Sequence, residues 1–380
     1  MRRIMLVAGA RPNFMKVAPL MRELRPHPDF EVRLIHTGQH FSPEMSDLFF
    51  RDLGLPEPDL NLEVGGGSHA RQTAEIMVRF EQVLENDRPD LVCVVGDVNS
   101  TVACALVAKK LGMLLAHIEA GLRSFDRGMP EEINRLATDA LTDLFFTTEE
   151  SGTMNLLREG VPPEKIYFVG NLMIDSLRHH LDAARRSGIL DELGLGLQDY
   201  ILVTLHRPSN VDEPQVLRRL WWVLSKIAVE IPVIFPIHPR TRARLENLQL
   251  TAVAGMRLLP PLGYLDFLQL MSSAKAVLTD SGGIQEETTA LGVPCLTLRE
   301  NTERPVTLSL GTNRLVGANP ENILSAWREI RSRPAISPTP SVPLWDGRAA
   351  ARVREALQGF FNRDDTADRH YAAAGGQVGK

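Results

Sequence analysis

The feature that most constrains this chain is a series of short apolar runs separated by longer amphipathic stretches. In the first half the runs lie at residues 4–8, 32–36, 91–95, 114–118, 144–147 and 166–169. They are apolar throughout instead of at alternate positions, which indicates strands that are covered on both faces. Amphipathic stretches of helical length between them, such as 71–85 and 101–111, predict parallel βαβ units in a doubly wound sheet.

The same pattern begins again near Tyr200, which predicts a second α/β unit. Its apolar runs lie at residues 201–205, 233–237, 256–259, 276–279 and 295–298. A length of 380 residues fits two domains, and we place a first Rossmann-like domain at 1–180 and a second at 200–345. Ligands of open parallel sheets bind at the carboxyl ends of the strands, so we predict a site in the cleft between these domains.

The two ends of the chain need a separate interpretation. The start, MRRIMLVAGARPNF, has a basic pair and a short apolar run, as a signal peptide does. That run of about six residues is shorter than a signal peptide requires and ends in a turn. We therefore interpret it as a buried first strand and expect a cytoplasmic protein. The polar, Gly-rich segment 362–380 predicts a flexible tail.

Composition and charge exclude several classes of function. The formal net charge is -5, so no basic excess is available to bind nucleic acid. No apolar stretch reaches the ~18–20 residues of a membrane span, and we expect no membrane partner. The three cysteines, Cys93, Cys104 and Cys295, lie far apart within apolar runs and are interpreted as reduced core thiols.

The turn after the first predicted strand, GARPNFMK at residues 9–16, is a candidate anion site. It opens a helix, whose free N–H groups attract anions. Arg11 and Lys16 add positive charge and donors suited to phosphate. The alternative is a plain βα turn with solvated basic residues, because one glycine and an Arg-Pro step do not make a GxGxxG dinucleotide fingerprint.

A second candidate anion site is TDSGGIQEE at residues 279–287, between an apolar run and a helical stretch. The hydroxyl of Ser281 and the amides of Gly282 and Gly283 form a concave set of donors for a phosphate. Glu287, about one helical turn further along, is well placed to bind a ribose diol. The alternative is simple capping of the helix by Ser281, with acids that complement the helix dipole.

Carboxylates follow two predicted strands and begin a nearby helix. Asp97 and Glu119 each end a strand, and Glu131 begins a helix with Arg135 one turn later. Ends of parallel strands converge on one pocket, where acids in a dry cleft have raised pKa values and transfer protons. Taken singly, Asp97 could instead cap the helix that follows it, and Glu131 could complement a helix dipole or pair with Arg135.

His206 and His238 follow two predicted strands of the second half. A histidine that faces a cleft can contact a diphosphate or act as an acid, and the alternative is a histidine satisfied by backbone partners. No spacing of His, Cys and Asp residues has the form of a zinc site, so we expect no metal.

An ordered set of motifs is similar to that of the non-hydrolysing UDP-N-acetylglucosamine 2-epimerases. The matching segments, between residues 9 and 347, are GARPNFMK, GQH, GD, HIEAGLR, PEEINR, GN, HR, DSGGIQEE, TERP and DG. Each motif alone is weak, whereas the order and spacing together are specific.

The resemblance implies a fold similar to glycosyltransferase type B, in which two Rossmann-like domains enclose a deep cleft. It also implies a C-terminal helix at 346–361 that crosses back to the first domain. The implied protein is a cytoplasmic homodimer that interconverts UDP-GlcNAc and UDP-ManNAc without NAD, metal or another cofactor. The implied reaction is elimination of UDP to a 2-acetamidoglucal, followed by protonation on the opposite face and re-addition of UDP.

The same resemblance implies roles for individual residues. Acid/base candidates near C2 are Asp97, Glu119 and Glu131, and His206 is expected near the diphosphate as a candidate leaving-group acid. Residues expected to bind substrate are Arg11, Lys16, Arg135, Phe267 (by the uracil), Ser281, Gly282, Gly283, Glu287 (on the ribose) and Arg304. Some relatives bind a second UDP-GlcNAc as an activator, and the candidates for such a site are Gln39, His40, Arg71 and Gln72.

A few positions depart from the family pattern, including Val306 after TERP and Pro208 after His206-Arg207. The acids and the nucleotide motif are intact, so the reaction type stands, with UDP-2,3-diacetamido-glucuronate as an alternative substrate. A type B glycosyltransferase or a hydrolysing epimerase is less favoured, because a transferase has no use for acids on both faces of C2. A non-catalytic sensor of nucleotide sugars would keep the nucleotide motif and lose the acids.

Overall fold

The computed structural model describes residues 1–38, 53–332 and 340–375, with side chains for all of these except Arg11 and residues 364–375. The described residues form two parallel β-sheets flanked by helices, which confirms the predicted fold class.

The first sheet contains β1 (Arg2–Ala8), β2 (Phe30–His36), β3 (Leu60–Asn61), β4 (Leu91–Val95), β5 (Leu114–Ile118), β6 (Leu144–Thr147) and β7 (Ile166–Phe168). Its order is β3-β2-β1-β4-β5-β6-β7, and all pairs are parallel. The helices of this half are α1 (Arg11–Leu24), α2 (His69–Asn86), α3 (Asn99–Lys110), α4 (Pro130–Leu141), α5 (Glu150–Arg158) and α6 (Leu172–Ala184), with a 3-10 turn at Pro163–Lys165.

The second sheet contains β8 (Ile201–Thr204), β9 (Val233–Pro236), β10 (Met256–Leu259), β11 (Ala276–Thr279), β12 (Cys295–Thr297) and β13 (Asn313–Leu315). Its order is β10-β9-β8-β11-β12-β13, again with parallel pairs. The helices that follow α6 are α7 (Ile189–Leu193), α8 (Pro208–Val211), α9 (Pro214–Ala228), α10 (Pro239–Asn247), α11 (Tyr264–Ser273), α12 (Gly282–Leu291), α13 (Val306–Ser309), α14 (Pro320–Ser332) and α15 (Ala349–Gly375).

Continuous apolar runs form these strands because both faces of each sheet are covered. In β1, Leu6 and Ala8 join one apolar cluster while Met5 and Val7 join another. The N-terminal run is therefore a core strand, paired with β2 on one side and β4 on the other. The short edge strands β3 and β13 were missed, because neither lies in a continuous apolar run. Among the described helices, none is both long and apolar enough to cross a membrane.

The two halves meet at helix α6. Its residues Leu172 and Leu177 belong to the same apolar cluster as Leu20 of α1 and Leu268 of α11. Residue Asn171, which caps α6, also donates a hydrogen bond to Glu286 of α12 (2.9 Å). The helix thus packs against elements of both sheets.

The last helix, α15, packs against α1 and α6 of the first half. Arg354 of α15 forms an ion pair with Glu23 of α1 (2.8 Å). The helix is longer than the 346–361 that we predicted, and residues 362–375, expected as a flexible tail, are helical. The domain bounds at 1–180 and 200–345 stay a prediction.

The start of α15 is held by Asp175 of α6, which gives a testable consequence. Its carboxylate accepts the amides of Ala349 (3.1 Å) and Ala350 (2.8 Å), two N–H groups that have no partner within the helix. Asp175→Ala should lower the free energy of unfolding by about 1–3 kcal/mol. It should also speed hydrogen exchange at 349–361.

Asp182→Ala is the matched control, because Asp182 lies on the same helix but is exposed and pairs only with Arg185 (3.2 Å). Urea unfolding and amide exchange should be unchanged in this variant. Equal stability and exchange in the two variants would show that Asp175 does not hold α15.

Candidate active site

The carboxyl ends of the central strands bring the predicted motifs together. In the first sheet β4 leads into Asp97 and β5 into Glu119, and in the second β11 leads into Ser281. Lys16 of α1 and Arg304, which follows β12, both form ion pairs with Glu119. Side chains from both halves of the chain therefore meet in one cluster.

Glu119 lies at the centre of this cluster and is 4% exposed. Lys16 contacts its Oε2, and Nη2 of Arg304 lies 2.8 Å from its Oε1. Burial alone would raise the pKa of Glu119, but the two cations outweigh burial and hold that pKa below its ordinary value. Glu119 is thus an ionised carboxylate in a nearly dry site.

The backbone at Glu119 is in the left-handed region, with φ of 72°. This conformation is uncommon for a residue with a side chain and costs roughly 1–2 kcal/mol. The amides of Glu119 and Ala120 both donate to the carbonyl of Phe146 in β6 (3.0 Å each), which fixes the bend. The strained turn aims the carboxylate at Lys16 and Arg304.

The turn before α1 is fixed by hydrogen bonds to the side chain of Asn13, in the first turn of that helix. Asn13 accepts the amides of Gly9 (3.1 Å) and Ala10 (3.0 Å) and donates to the carbonyl of Val95 at the end of β4 (3.0 Å). A Cβ on Gly9 would lie 2.0 Å from Oγ of Ser100, so only glycine fits there. Lys16 is buried and faces the cleft, whereas the side chain of Arg11 is not described.

Asp97 lies beside Arg135 of α4, with 2.5 Å between Oδ2 and Nη1. Burial raises the pKa of Asp97, and the negative charge of nearby Glu119 raises it further. The positive charge of Arg135 lowers it in part. Asp97 keeps its side chain 25% exposed, so it faces accessible space. A carboxyl group with a raised pKa beside an ionised one suits proton transfer.

The structure separates the roles of the two acids at the start of α4. Glu132 is buried, pairs with Arg135 (2.6 Å) and accepts the amides of Ser124 (3.0 Å) and Phe125 (2.9 Å). Glu131 is half-buried and makes no ion pair with any residue that the structure describes. Arg135 therefore pairs with Glu132, and not with Glu131 as the alternative interpretation suggested.

Arg304 joins the two halves and is 5% exposed. Besides Glu119, it pairs with Glu303 and with Oε1 of Glu286 (2.9 Å). Burial would lower the pKa of Arg304, but the surrounding carboxylates outweigh it and raise that pKa. Neither Glu286 nor Glu303 was singled out from sequence, although both lie in quoted motifs.

The start of α12 has the form of an anion site. Ser281 occupies the N-cap position, but its hydroxyl makes no capping hydrogen bond, so the alternative of simple capping is wrong. A Cβ on Gly282 would lie 2.6 Å from Nη1 of Arg304, which explains the glycine. The amides of Gly282 and Gly283 begin the helix beside this guanidinium and are suited to a phosphate.

Asp280 holds the histidine that was predicted near the site. The carboxylate of Asp280 accepts the amides of His206 (3.1 Å) and Arg207 (3.0 Å), and Nδ1 of His206 lies 2.9 Å from it. Burial would raise the pKa of Asp280, but these donors lower it. The His206 ring is half-exposed, with Nδ1 turned to Asp280. His238 instead caps α10 by accepting the amide of Arg240 (3.2 Å).

Two further predicted residues lie on helices α11 and α12. Glu287 is buried and accepts a hydrogen bond from the hydroxyl of Tyr264 (3.1 Å). Phe267 is half-buried and packs on the apolar cluster shared by the two halves. Helix α11, which carries Phe267, packs against α12, which carries Glu287.

The candidates for an activator site are only partly described. Gln39 and His40 lie outside the described residues. Arg71 is exposed and pairs with Glu75 (3.0 Å), whereas buried Gln72 accepts a hydrogen bond from Asn99 (2.8 Å). No group of His, Cys, Asp or Glu in the described ranges has a metal-binding arrangement.

Glu149, which follows β6, belongs to the site but was missed from sequence. It is 1% exposed and accepts hydrogen bonds from Ser151 (2.5 Å) and from the amide of Val306 in the second half. Burial raises its pKa to about 7, with a further contribution from the charge of Glu286. Its position at a strand end, as for Asp97, was the signal that could have identified it.

The raised pKa of Glu149 predicts a pH dependence of stability. The unfolded chain releases this proton near the ordinary pKa of 4.5, and the folded protein near 7. The folded state therefore binds more protons between these values, and its stability falls as the pH rises through them. Glu149→Gln removes this effect. The free energy of unfolding of the variant, relative to that of the parent protein, should therefore rise by roughly 2–3 kcal/mol from pH 5 to pH 8.

Urea unfolding at several pH values measures that difference. Glu150→Gln is the control, since Glu150 is the exposed neighbour of Glu149 and begins helix α5. A difference between Glu149→Gln and the parent that is constant with pH would show that Glu149 does not hold a proton in the folded protein.

Comparison with known proteins identifies the family. A sequence model described as UDP-N-acetylglucosamine 2-epimerase matches residues 22–358. The UDP-N-acetylglucosamine 2-epimerase of Methanococcus maripaludis is 43% identical over 334 residues, which cover 86% of this chain and 90% of the relative. The UDP-2,3-diacetamido-2,3-dideoxy-D-glucuronate 2-epimerase of Pseudomonas aeruginosa is 41% identical over 330 residues, covering 86% and 91%.

Solved structures agree with the sequence relatives. The Methanocaldococcus jannaschii UDP-GlcNAc 2-epimerase in complex with UDP-GlcNAc and UDP has a TM-score of 0.87 at 40% identity, covering 94% of this chain and 99% of that chain. The Neisseria meningitidis enzyme bound to UDP-GlcNAc has a TM-score of 0.86 at 31% identity, covering 94% and 100%. A kitacinnamycin glycotransferase, 13% identical with a TM-score of 0.53, shares the fold alone. The resemblance seen in the motifs is confirmed, and the chain belongs to the UDP-N-acetylglucosamine 2-epimerase family.

Proposed function

We propose that this protein interconverts UDP-GlcNAc and UDP-ManNAc by non-hydrolysing epimerisation at C2. The observation that carries the proposal is the contact of Glu119 with both Lys16 and Arg304. It joins the carboxylates of the first half to the anion-binding helix start of the second, so one UDP-sugar could span both. The names of relatives that are 42–43% identical support this substrate.

In the proposed complex the second half binds the nucleotide. The diphosphate lies on the amides of Gly282 and Gly283 and on the hydroxyl of Ser281. Glu287 accepts hydrogen bonds from the ribose, Phe267 lies by the uracil, and His206 contacts the diphosphate as it leaves. Arg11, Lys16, Arg135 and Arg304 supply the positive charge that this doubly ionised group requires.

Substrate binding would release the catalytic carboxylate. In the structure, Lys16 and Arg304 both form ion pairs with Glu119. A diphosphate competes for the same two cations, and Glu119 then loses part of what holds its pKa down. We propose that this exchange of partners frees Glu119 to act on the sugar only when the nucleotide is in place.

The reaction follows from this arrangement. A base takes the C2 proton while the C1–O bond to UDP breaks, which yields 2-acetamidoglucal and UDP. Protonation of C2 from the opposite face and attack of the UDP oxygen at C1 then give the epimer. The proton carriers are drawn from Asp97, Glu119 and Glu131, and the near-complete burial of Glu119 and Arg304 keeps water from the intermediate.

A related substrate is the second candidate. The Pseudomonas aeruginosa relative, 41% identical, is named for UDP-2,3-diacetamido-2,3-dideoxy-D-glucuronate. The same acids and nucleotide site would serve that reaction. We also propose a cytoplasmic homodimer that supplies precursors for polysaccharide synthesis, on the basis of the family resemblance.

Turnover in D2O tests the reaction. The purified protein with UDP-GlcNAc should produce a mixture of UDP-GlcNAc and UDP-ManNAc with deuterium at C2, because the proton removed exchanges with solvent. Proton NMR follows the C2 signal and the anomeric signals. Free ManNAc with UDP would indicate hydrolysis, and turnover of the diacetamido uronate alone would assign the second candidate.

Conservative changes of the acids test their roles. Asp97→Asn and Glu119→Gln should each lose on the order of 10²–10⁴-fold in rate, measured per folded molecule, since each removes a proton carrier. Asp90→Asn is a control at the opposite end of β4, where Asp90 accepts the amide of Arg3 (2.7 Å). Near-parental turnover in Asp97→Asn or Glu119→Gln would remove that residue from the mechanism.

A further inference from the structure

A buried histidine lies directly beneath the acid/base cluster, and the proposed function gives it no role. His117 is the penultimate residue of β5, two residues before Glu119, and its side chain has no exposed surface. Its Nδ1 lies 2.6 Å from Oδ1 of Asp139, and its Nε2 lies 2.8 Å from the carbonyl oxygen of Gly96. Each ring nitrogen therefore has one partner at hydrogen-bond distance.

Both partners are acceptors. A backbone carbonyl can only accept, so Nε2 of His117 must donate to Gly96. The carboxylate of Asp139 accepts the amide of Gly121 (3.1 Å) and pairs with Nη2 of Arg123 (2.7 Å). Both the Arg123 guanidinium and the Gly121 amide favour the ionised form of Asp139, independently of His117. Asp139 is therefore ionised, and Nδ1 of His117 must donate as well.

We propose that His117 is a doubly donating imidazolium that positions Asp97 and adds positive charge beside Glu119. The inference rests on the proposed function, because it assigns a positioning residue to that reaction. His117 does not touch the substrate in this account. It acts through the two acids that flank it in the structure.

The first effect is on the turn that carries Asp97. Gly96 has φ of 68°, and its amide donates to the carbonyl of Ile118 (3.0 Å). The bond from His117 to the carbonyl of Gly96 fixes the next peptide group, which links Gly96 to Asp97. Asn134 donates to the carbonyl of Asp97 itself (2.9 Å). Three hydrogen bonds thus hold the backbone from which the Asp97 carboxylate projects.

The second effect is electrostatic. The positive charges of Lys16, Arg304 and His117 lower the pKa of Glu119. The negative charges of Asp97 and Glu286 raise it. When a diphosphate takes Lys16 and Arg304, the charge of His117 stays, because its ring has no exposed surface that a diphosphate could contact. His117 would then keep Glu119 ionised as the base.

Two substitutions separate the two effects. In Asp139→Asn the amide nitrogen can donate to Nδ1, and the amide oxygen can still accept from Gly121 and Arg123. A neutral His117 then keeps its bond to Gly96, while the charges of His117 and Asp139 are lost. His117→Gln loses both the charge and the paired hydrogen bonds. We expect the acidic limb of the pH–rate profile to move to higher pH in both variants. We expect kcat to fall about 10²-fold in His117→Gln, less in Asp139→Asn, with KM changed little.

Lys109→Met is the matched control, because Lys109 pairs with Asp143 (2.7 Å), which accepts the amide of Leu115 near the start of the same strand. This variant should lose stability without moving the acidic limb. Unchanged kcat and an unchanged acidic limb in folded His117→Gln and Asp139→Asn would overturn the proposal.

Nitrogen NMR of the full-length protein with labelled histidine tests the protonation without any activity assay. At pH 7.5 both ring nitrogens of His117, assigned by the signal missing from His117→Gln, should carry protons, and Asp139→Asn should show a neutral ring. A neutral His117 in the parent protein would overturn the proposal even if neither variant folds. Absence of epimerisation by the parent protein would instead refute the proposed function.

Discussion

The buried contact of Glu119 with Lys16 and Arg304 is the interaction on which the rest of the site depends. Moving a carboxylate out of water costs several kcal/mol, and it is tolerated only where opposite charges and hydrogen bonds replace the lost hydration. Here the two cations come from different halves of the chain. Removal of either cation would leave buried charge uncompensated, so the folded halves and the ionised acid support each other.

The fold makes this contact possible by directing strand ends at a common cleft. β4 and β5 end in Asp97 and Glu119, and β11 ends at the helix start that carries Gly282. Helix α6 packs against elements of both sheets, and α15 returns to the first half. The same geometry brings the Glu119 carboxylate, the helix start at Gly282 and a nearly water-free space together, as the proposed reaction requires.

The sequence predicted most of this architecture because its signals are local. Continuous apolar runs mark strands covered on both faces, and a polar residue that directly follows such a run marks the edge where ligands bind. Asp97, Glu119 and Ser281 were found in this way. The edge strands β3 and β13 have no continuous run, and α15 continues through a polar segment that carries no apolar signal.

What the sequence could not predict depends on contacts between distant segments. The raised pKa of Glu149 arises from burial against Val306 and Glu286, about 140–160 positions away. Glu132 and not Glu131 pairs with Arg135, although the two acids are adjacent and alike in sequence. The partners of His117 are likewise distant in sequence, because Asp139 and Gly96 approach its ring from two other segments.

The most direct test of the central claim is a crystal structure of the Asp97→Asn protein with UDP-GlcNAc bound. The account predicts the diphosphate against the amides of Gly282 and Gly283 and beside Arg304, with C2 of the sugar next to position 97 and Glu119. A nucleotide bound elsewhere, or a sugar that points away from Glu119, would contradict it.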